Sequence, residues 1–146
     1  EPEERWFHMG LSAKLNLRAG RKIDGDTVEW WLSQSKAAQD MVLTVPRAPN
    51  FTSLIAEFDD WLRVEDIDFI WAKPPSFDIE LLKHAYISAG LDWPFHWAVD
   101  RDLRTLLHFA KVRGNFAANN LPFAGEKHNA AHDAAHQARQ VILAIK

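Results

Sequence analysis

Phe69-Ile70-Trp71-Ala72 is the stretch that decides the fold, because four apolar residues in a row stand between Asp68 and the Lys73-Pro74 pair. An apolar run of this length without alternation predicts a strand that is buried on both faces. Such a strand needs helices above and below its sheet. The helical patterns on either side of it therefore predict an α/β sandwich, in which helices flank a mixed sheet.

The chain before this strand contains both extended and helical patterns. The predicted elements are, in order, a strand over 4–9, an extended segment over 14–21, a helix capped by Thr27, a helical turn over 36–41 and a helix capped by Thr52 or Ser53. After the strand the pattern predicts a helix capped by Ser76, a strand over 95–98, a helix over 102–110, a loop over 113–127 and a last helix from Asn129. Five residues form the expected buried stripe of that last helix: Ala131, Ala134, Ala138, Ile142 and Ile145.

The composition excludes several classes of protein and of functional site. The 146 residues are 47% hydrophobic and include seven Trp and nine Phe, which predicts one compact domain over 1–146. The absence of cysteine excludes disulfides, thiolate zinc sites and a cysteine nucleophile. A formal net charge of −3 provides no overall basic field, so contact with nucleic acid must come from a local patch. No bilayer-spanning run or signal peptide is found, so we expect a cytoplasmic protein with no membrane partner.

The segment Lys127-His128-Asn129-Ala130-Ala131-His132-Asp133 carries the strongest chemical signal. A histidine and an aspartate five positions apart, where a loop enters a helix, allow one residue to bind metal while the other handles a proton. Five residues on an ideal helix are about 140° apart, so His128 and Asp133 cannot share a helical face. If Asn129 is the N-cap, His128 lies outside the helix and can bend back toward Asp133.

Two other interpretations of this segment remain open. Asp133 can be a first-turn acid favoured by the helix dipole, with His128 a simple loop residue. Alternatively, His128, His132 and His136 can form one stripe that binds zinc, which requires His128 to be helical.

Ser76-Phe77-Asp78 is the second constellation, since it places a carboxylate just after the apolar strand, where it can reach a site beside the sheet. Its plainer interpretation is a helix-start acid beside a serine cap. The Trp30-Trp31 pair can stack on bases or fill the core. Arg101 and Arg104 can contact phosphate or form surface ion pairs.

Four blocks occur in an order that resembles phage-type exonucleases: Thr27 to Ser35, Trp71 to Asp78, Asp100 to Thr105 and His128 to Asp133. They are similar to the exodeoxyribonuclease A proteins of T4-like phages and to related small exoribonucleases. Those proteins belong to the DEDDh branch of the ribonuclease H-like fold. The resemblance implies a 3'-5' exonuclease that acts on single-stranded DNA or RNA with two Mg²⁺ or Mn²⁺ ions. It also implies that Asp78 and Asp133 are metal ligands and that His128 is the general base.

The chain departs from this family in two places. Pro74 stands where members more often have a glycine, and no apolar strand carries the family's first motif, Asp-x-Glu. Neither Asp66-Ile67-Asp68 nor Glu1-Pro2-Glu3 replaces it. We therefore expect an N-terminally incomplete domain that is inactive as given, whose sheet edge is covered by a second copy of the chain or by a separate segment. The alternative is a catalytically inactive nucleic-acid-binding or interaction module of the same fold.

Overall fold

A computed structural model describes residues 5–63 and 67–146 of the chain. Two compact units are present: the first comprises 1–65 and 126–131, and the second comprises 66–125 and 132–146. Five residues that entered the sequence arguments lie outside the described residues: Glu1, Pro2, Glu3, Glu4 and Asp66. The expectation of one exonuclease-like domain over 1–146 stays a prediction. Within the described ranges, no helix has both the length and the apolar character needed to cross a membrane.

The first unit is helical. Its helices are α1 (Ala13–Arg18), α2 (Gly25–Leu32), α3 (Lys36–Thr44) and α4 (Phe51–Leu62). Each begins after a polar residue whose side chain accepts a backbone N–H of the first turn: Ser12, Asp24, Ser35 and Asn50. These caps satisfy amides that have no partner inside their helix, so they set where each helix starts.

Several sequence expectations for the first unit are wrong. Residues 5–9 form no strand, and only a parallel bridge between Gly10 and Arg47 follows them. The segment expected to be extended over 14–21 is mostly helix α1, because Ser12 caps it. In α2, Asp24 is the cap, and its carboxylate accepts both the amide and the hydroxyl of Thr27 at 2.8 Å. In α4 the cap is Asn50 and not Thr52 or Ser53, since Asn50 Oδ1 accepts the Ser53 amide at 2.8 Å. In both helices a polar side chain just upstream takes the place of the expected cap.

The second unit contains the sheet. Its elements are β1 (Ile70–Ala72), α5 (Pro75–Ser88), a 3₁₀ turn (Trp97–Val99), β2 (Asp100–Asp102), α6 (Leu103–Val112) and the greater part of α7 (Ala130–Ile145). The two strands are parallel, and Trp71 pairs with Arg101 at the centre of the register. Helix α5 contacts both strands, and Lys83 Nζ donates to Asp100 Oδ2 at 3.0 Å.

The core of the second unit lies where α6 and α7 meet the sheet. Leu103, Leu107 and Ala118 are its buried centre. The half-buried side chains packed against this centre are Trp71, Leu106, Val141, Leu143 and Ala144. The loop before α7 is tied to that helix, since Asn115 Nδ2 donates to the Leu143 carbonyl at 2.8 Å. Helices therefore flank β1, which confirms the predicted α/β class.

The expectations for the second unit are correct in outline and wrong in detail. Residues 70–72 form the predicted strand and 113–127 the predicted loop, but Phe69 is 52% exposed and lies outside the strand. Residues 95–98 form no strand, and β2 follows instead at 100–102. Ser76 is not the cap of α5 but lies inside it. The helix begins at Pro75 without a side-chain cap, and the proline there has no N–H that needs a partner.

The buried face of α7 also differs from the prediction. Four of the five expected stripe residues are exposed: Ala134, Ala138, Ile142 and Ile145. The neighbouring face is buried instead, with Gln140 at its centre, where Gln140 Nε2 donates to the Ala118 carbonyl. Because α7 has apolar residues on more than one side, its own periodicity does not decide which side packs.

Candidate active site

Asp78 lies in the first turn of α5, directly after β1. The Pro74 carbonyl accepts the amides of Phe77 at 3.2 Å and Asp78 at 3.4 Å, so the local backbone sets the direction of this turn. The Asp78 carboxylate is exposed and forms no hydrogen bond or salt bridge with any residue in 5–63 or 67–146. A free carboxylate at the positive end of a helix remains available to a cation.

Asp133 lies in the first turn of α7 and is half-buried. Among the described aspartates, the others that are at least half-buried have side-chain partners: Asp59 binds Arg63, Asp100 binds Lys83 and Asp102 binds Thr105. Asp133 forms no such hydrogen bond or salt bridge within the described part of the chain. Withdrawing a carboxylate from water without a hydrogen bond is unfavourable, and binding of an external ligand would offset that cost.

His128 lies outside α7, as predicted, because the helix begins at Ala130. Its backbone is left-handed, with φ of +67°, and its side chain is exposed. The imidazole contacts the Trp30 ring edge-to-face at 4.9 Å between centroids. A zinc-binding stripe of His128, His132 and His136 would require His128 to be helical, so the structure contradicts that interpretation.

Asp78 and Asp133 belong to the second unit, and His128 belongs to the first. Their convergence at one end of the sheet stays a prediction. Across 5–63 and 67–146, no three His, Asp or Glu side chains form a group that could hold a metal ion. Mg²⁺ in proteins is commonly bound by one or two carboxylates together with water and substrate phosphate oxygens. The carboxylate oxygens of Asp78 and Asp133, which form no hydrogen bond or salt bridge with the described residues, are ligands of this type.

Sequence reasoning missed the interaction between Asp133 and His136, which lies one helical turn later. Burial lowers the pKa of His136, the Lys73 and Arg139 charges lower it further, and the Asp133 carboxylate acts in the opposite direction. Lys73 directly follows β1, so the carboxyl end of this strand and the first half of α7 lie within electrostatic range of each other. The three-residue spacing of Asp133 and His136 on a helix was the signal that could have indicated their interaction.

Gly125 was also missed as a structural determinant of this region. Its φ is +105°, and a Cβ at this position would lie 2.7 Å from His132 Nδ1. His132 directly precedes Asp133, so the loop backbone closes against the start of α7 at a distance that only glycine permits.

The sequence left two interpretations open for the tryptophan pair and for Arg101. Trp30 is 45% exposed, and Trp31 is half-buried, so the pair is not simply core. The Arg101 guanidinium lies 4.0 Å from the centre of the Phe69 ring and donates to the carbonyls of Ala98 and Asp100. Arg101 therefore stabilises the entry to β2 rather than forming the surface ion pair considered above.

A family model described as the 3'-5' exoribonuclease Rv2179c-like domain matches residues 4–144. No curated protein and no solved structure matches the chain. The matched region covers nearly the whole chain and includes Asp78, His128 and Asp133. The chain therefore belongs to the family of 3'-5' exoribonuclease Rv2179c-like domains.

Proposed function

We propose that this protein shortens single-stranded RNA from its 3' end by metal-dependent hydrolysis, as a DEDDh exonuclease of the ribonuclease H-like superfamily. The observation that carries the proposal is the match of residues 4–144 to an exoribonuclease domain. RNA is preferred to DNA because the matching family is described by its action on RNA. The order of the four sequence blocks supports the DEDDh assignment and the likeness to phage-type exonucleases.

Asp78 and Asp133 are the proposed metal ligands from this chain. Both carboxylates are free of hydrogen bonds and salt bridges to the described residues, and both stand in the first turn of a helix. Two Mg²⁺ or Mn²⁺ ions, when bound, would stabilise the charge on the attacking and leaving oxygens of the phosphodiester. Mg²⁺ and Mn²⁺ prefer oxygen ligands, and the two carboxylates supply them.

His128 is the proposed general base. Its imidazole is exposed, so a water molecule can reach a ring nitrogen, and it must be neutral to accept the proton of that water. The proton then leaves to solvent from the exposed ring. In this proposal the two carboxylates bind the metal ions, and the imidazole accepts the proton of the attacking water.

The test is to incubate the full-length gene product with 5'-labelled single-stranded RNA and Mg²⁺. We expect a ladder that shortens from the 3' end, with slower degradation of DNA of the same sequence. Asp78→Asn and His128→Asn should each slow the shortening by about 10²-fold. Asn is a suitable replacement for His128 because it tolerates left-handed backbone.

Matched controls are available in the chain. Asp26 is an exposed first-turn acid of α2, and His108 is an exposed histidine of α6, so Asp26→Asn and His108→Asn should leave the ladder intact. Cuts inside a circular RNA, or an unchanged ladder in His128→Asn, would contradict the proposal.

A non-catalytic RNA-binding module is the second candidate. It is favoured by the observation that the described residues, 5–63 and 67–146, contain no group of three His, Asp or Glu side chains placed to hold a metal ion. This candidate predicts RNA binding, measured by fluorescence anisotropy, without any shortening of the RNA by the full-length protein.

A further inference from the structure

The segment that carries His128 is anchored to helices α2 and α3 of the first unit. On one side of His128, the Ser35 hydroxyl donates to Glu126 Oε1 at 2.5 Å. On the other side, Asn129 is only 7% exposed, and its side-chain amide lies 3.6 Å from Met41 Sδ. The residues on both sides of His128 are thus held by side chains of α3 and of its N-cap, and α3 directly follows the helix that carries Trp30 and Trp31.

The His128 side chain meets two tryptophan rings. The imidazole lies nearly perpendicular to the Trp30 ring at 4.9 Å, and the Trp31 ring is farther away at 6.4 Å. Trp30 and Trp31 are themselves edge-to-face at 5.0 Å. This is the preferred geometry of aromatic pairs, so the rings restrict each other's rotation.

Two features argue that this contact serves more than packing. Trp30 remains 45% exposed, so burying its ring in a core is not its main role. His128 has φ of +67°, in the left-handed region that few non-glycine residues adopt and in which histidine is enriched. Non-glycine residues in this region cluster at active sites and ligand clamps.

We propose that Trp30 is a positioning residue for His128. Its ring, braced by Trp31, holds the imidazole in one orientation while leaving it open to water. The inference rests on the proposed role of His128 as general base. A base accepts a proton efficiently only when its nitrogen is within hydrogen-bond reach and correctly directed, so loss of the Trp30 ring should slow the chemical step without weakening RNA binding.

The experiment compares Trp30→Leu and Trp30→Phe in the full-length protein. We expect kcat on single-stranded RNA to fall on the order of 10²-fold in Trp30→Leu with KM unchanged, the scale of a small misplacement of a reacting group. Trp30→Phe should restore most of kcat because it keeps an aromatic ring beside the imidazole. Trp97→Leu is the matched control, since Trp97 is 77% exposed and its ring contact is with His96.

A second measurement does not depend on activity. The carbon-bound ring protons of His128, assigned by NMR with His128→Asn, experience the ring current of Trp30. Their resonances should move toward those of a free histidine in Trp30→Leu, and much less in Trp30→Phe. Trp30→Phe also keeps the proposal testable if the leucine variant fails to fold.

The outcomes separate this inference from the proposed function. Unchanged His128 resonances in Trp30→Leu would overturn the positioning role, whatever the activity. A raised KM with unchanged kcat would also overturn it, because Trp30 would then contact RNA rather than orient His128. Shifted resonances together with full activity in His128→Asn would uphold the contact and overturn the general base.

Discussion

The first turns of α5 and α7 each carry an aspartate, but their surroundings differ. Asp78 is exposed and is directed only by the backbone around Pro74. Asp133 is half-buried, and its neighbours on α7 interact with distant parts of the second unit: His132 lies against Gly125, and the charge of Lys73 acts on His136. The difference teaches that similar helix starts can be determined by local chain or by tertiary packing. Substitutions at α7 should therefore change both stability and activity, whereas those at α5 should change activity alone.

The largest expected effect is that of Asp133→Asn. We expect kcat on single-stranded RNA to fall by about 10³-fold, since a preorganised electrostatic contact in an active site is worth roughly 10²–10³ in rate. The amide keeps the shape but loses the charge that holds a divalent ion. Tm in the absence of metal should rise slightly, because the half-buried charge without a hydrogen bond is removed. A parental rate together with an unchanged Tm would show that Asp133 is not a metal ligand and that its half-buried charge does not destabilise the fold.

Asp78→Asn should lower kcat by about 10²-fold and leave Tm unchanged, because the carboxylate is exposed and makes no side-chain contacts. Thermal unfolding monitored by circular dichroism measures Tm, and the RNA ladder measures the rate. Asp26→Asn, also in the first turn of a helix, serves as its control. A fall in Tm as large as that of a core variant would contradict the conclusion that the start of α5 does not depend on the side chain of Asp78.

Gly125→Ala tests the packing around the start of α7. We expect the free energy of unfolding to fall by about 1–3 kcal/mol, because a Cβ would meet the His132 ring and the backbone has φ of +105°. Gly114→Ala is the matched control, since φ is +79° there but nothing lies within 4 Å of the added Cβ. Urea denaturation of both variants separates the clash from the backbone strain. Equal losses would show that the contact with His132 is without consequence.

The smallest expected effect concerns pH. Burial and the charge of Lys73 lower the pKa of His136 below its ordinary value of 6.5. The folded state therefore binds fewer protons than the unfolded state below that pH, so this contribution to stability is complete above pH 6.5 and is lost as the pH falls below it. The slope of Tm between pH 7.5 and 5.5 should be shallower in His136→Gln. In Lys73→Gln, NMR titration should show the pKa of His136 moving upward, and no movement would contradict the proximity of the two side chains.

The sequence by itself determined the local features and the family. An uninterrupted apolar run located β1, glycine and asparagine located the loop over 113–127, and an asparagine before an alanine-rich stretch indicated that His128 lies outside the last helix. The order of four short blocks indicated a 3'-5' exonuclease family, and the family match confirms this. These features were predictable because each depends on hydrogen bonds or sterics within a few residues.

Tertiary structure decided which surfaces meet. The buried face of α7 was wrongly predicted because its side chains can pack on more than one side, and Ala118 and Leu103 from elsewhere in the chain select the face. The contact between Trp30 and His128 joins residues that are far apart in sequence, so no periodicity could indicate it. Burial and side-chain contacts are properties of pairs, and a pattern along one element describes only one member of each pair.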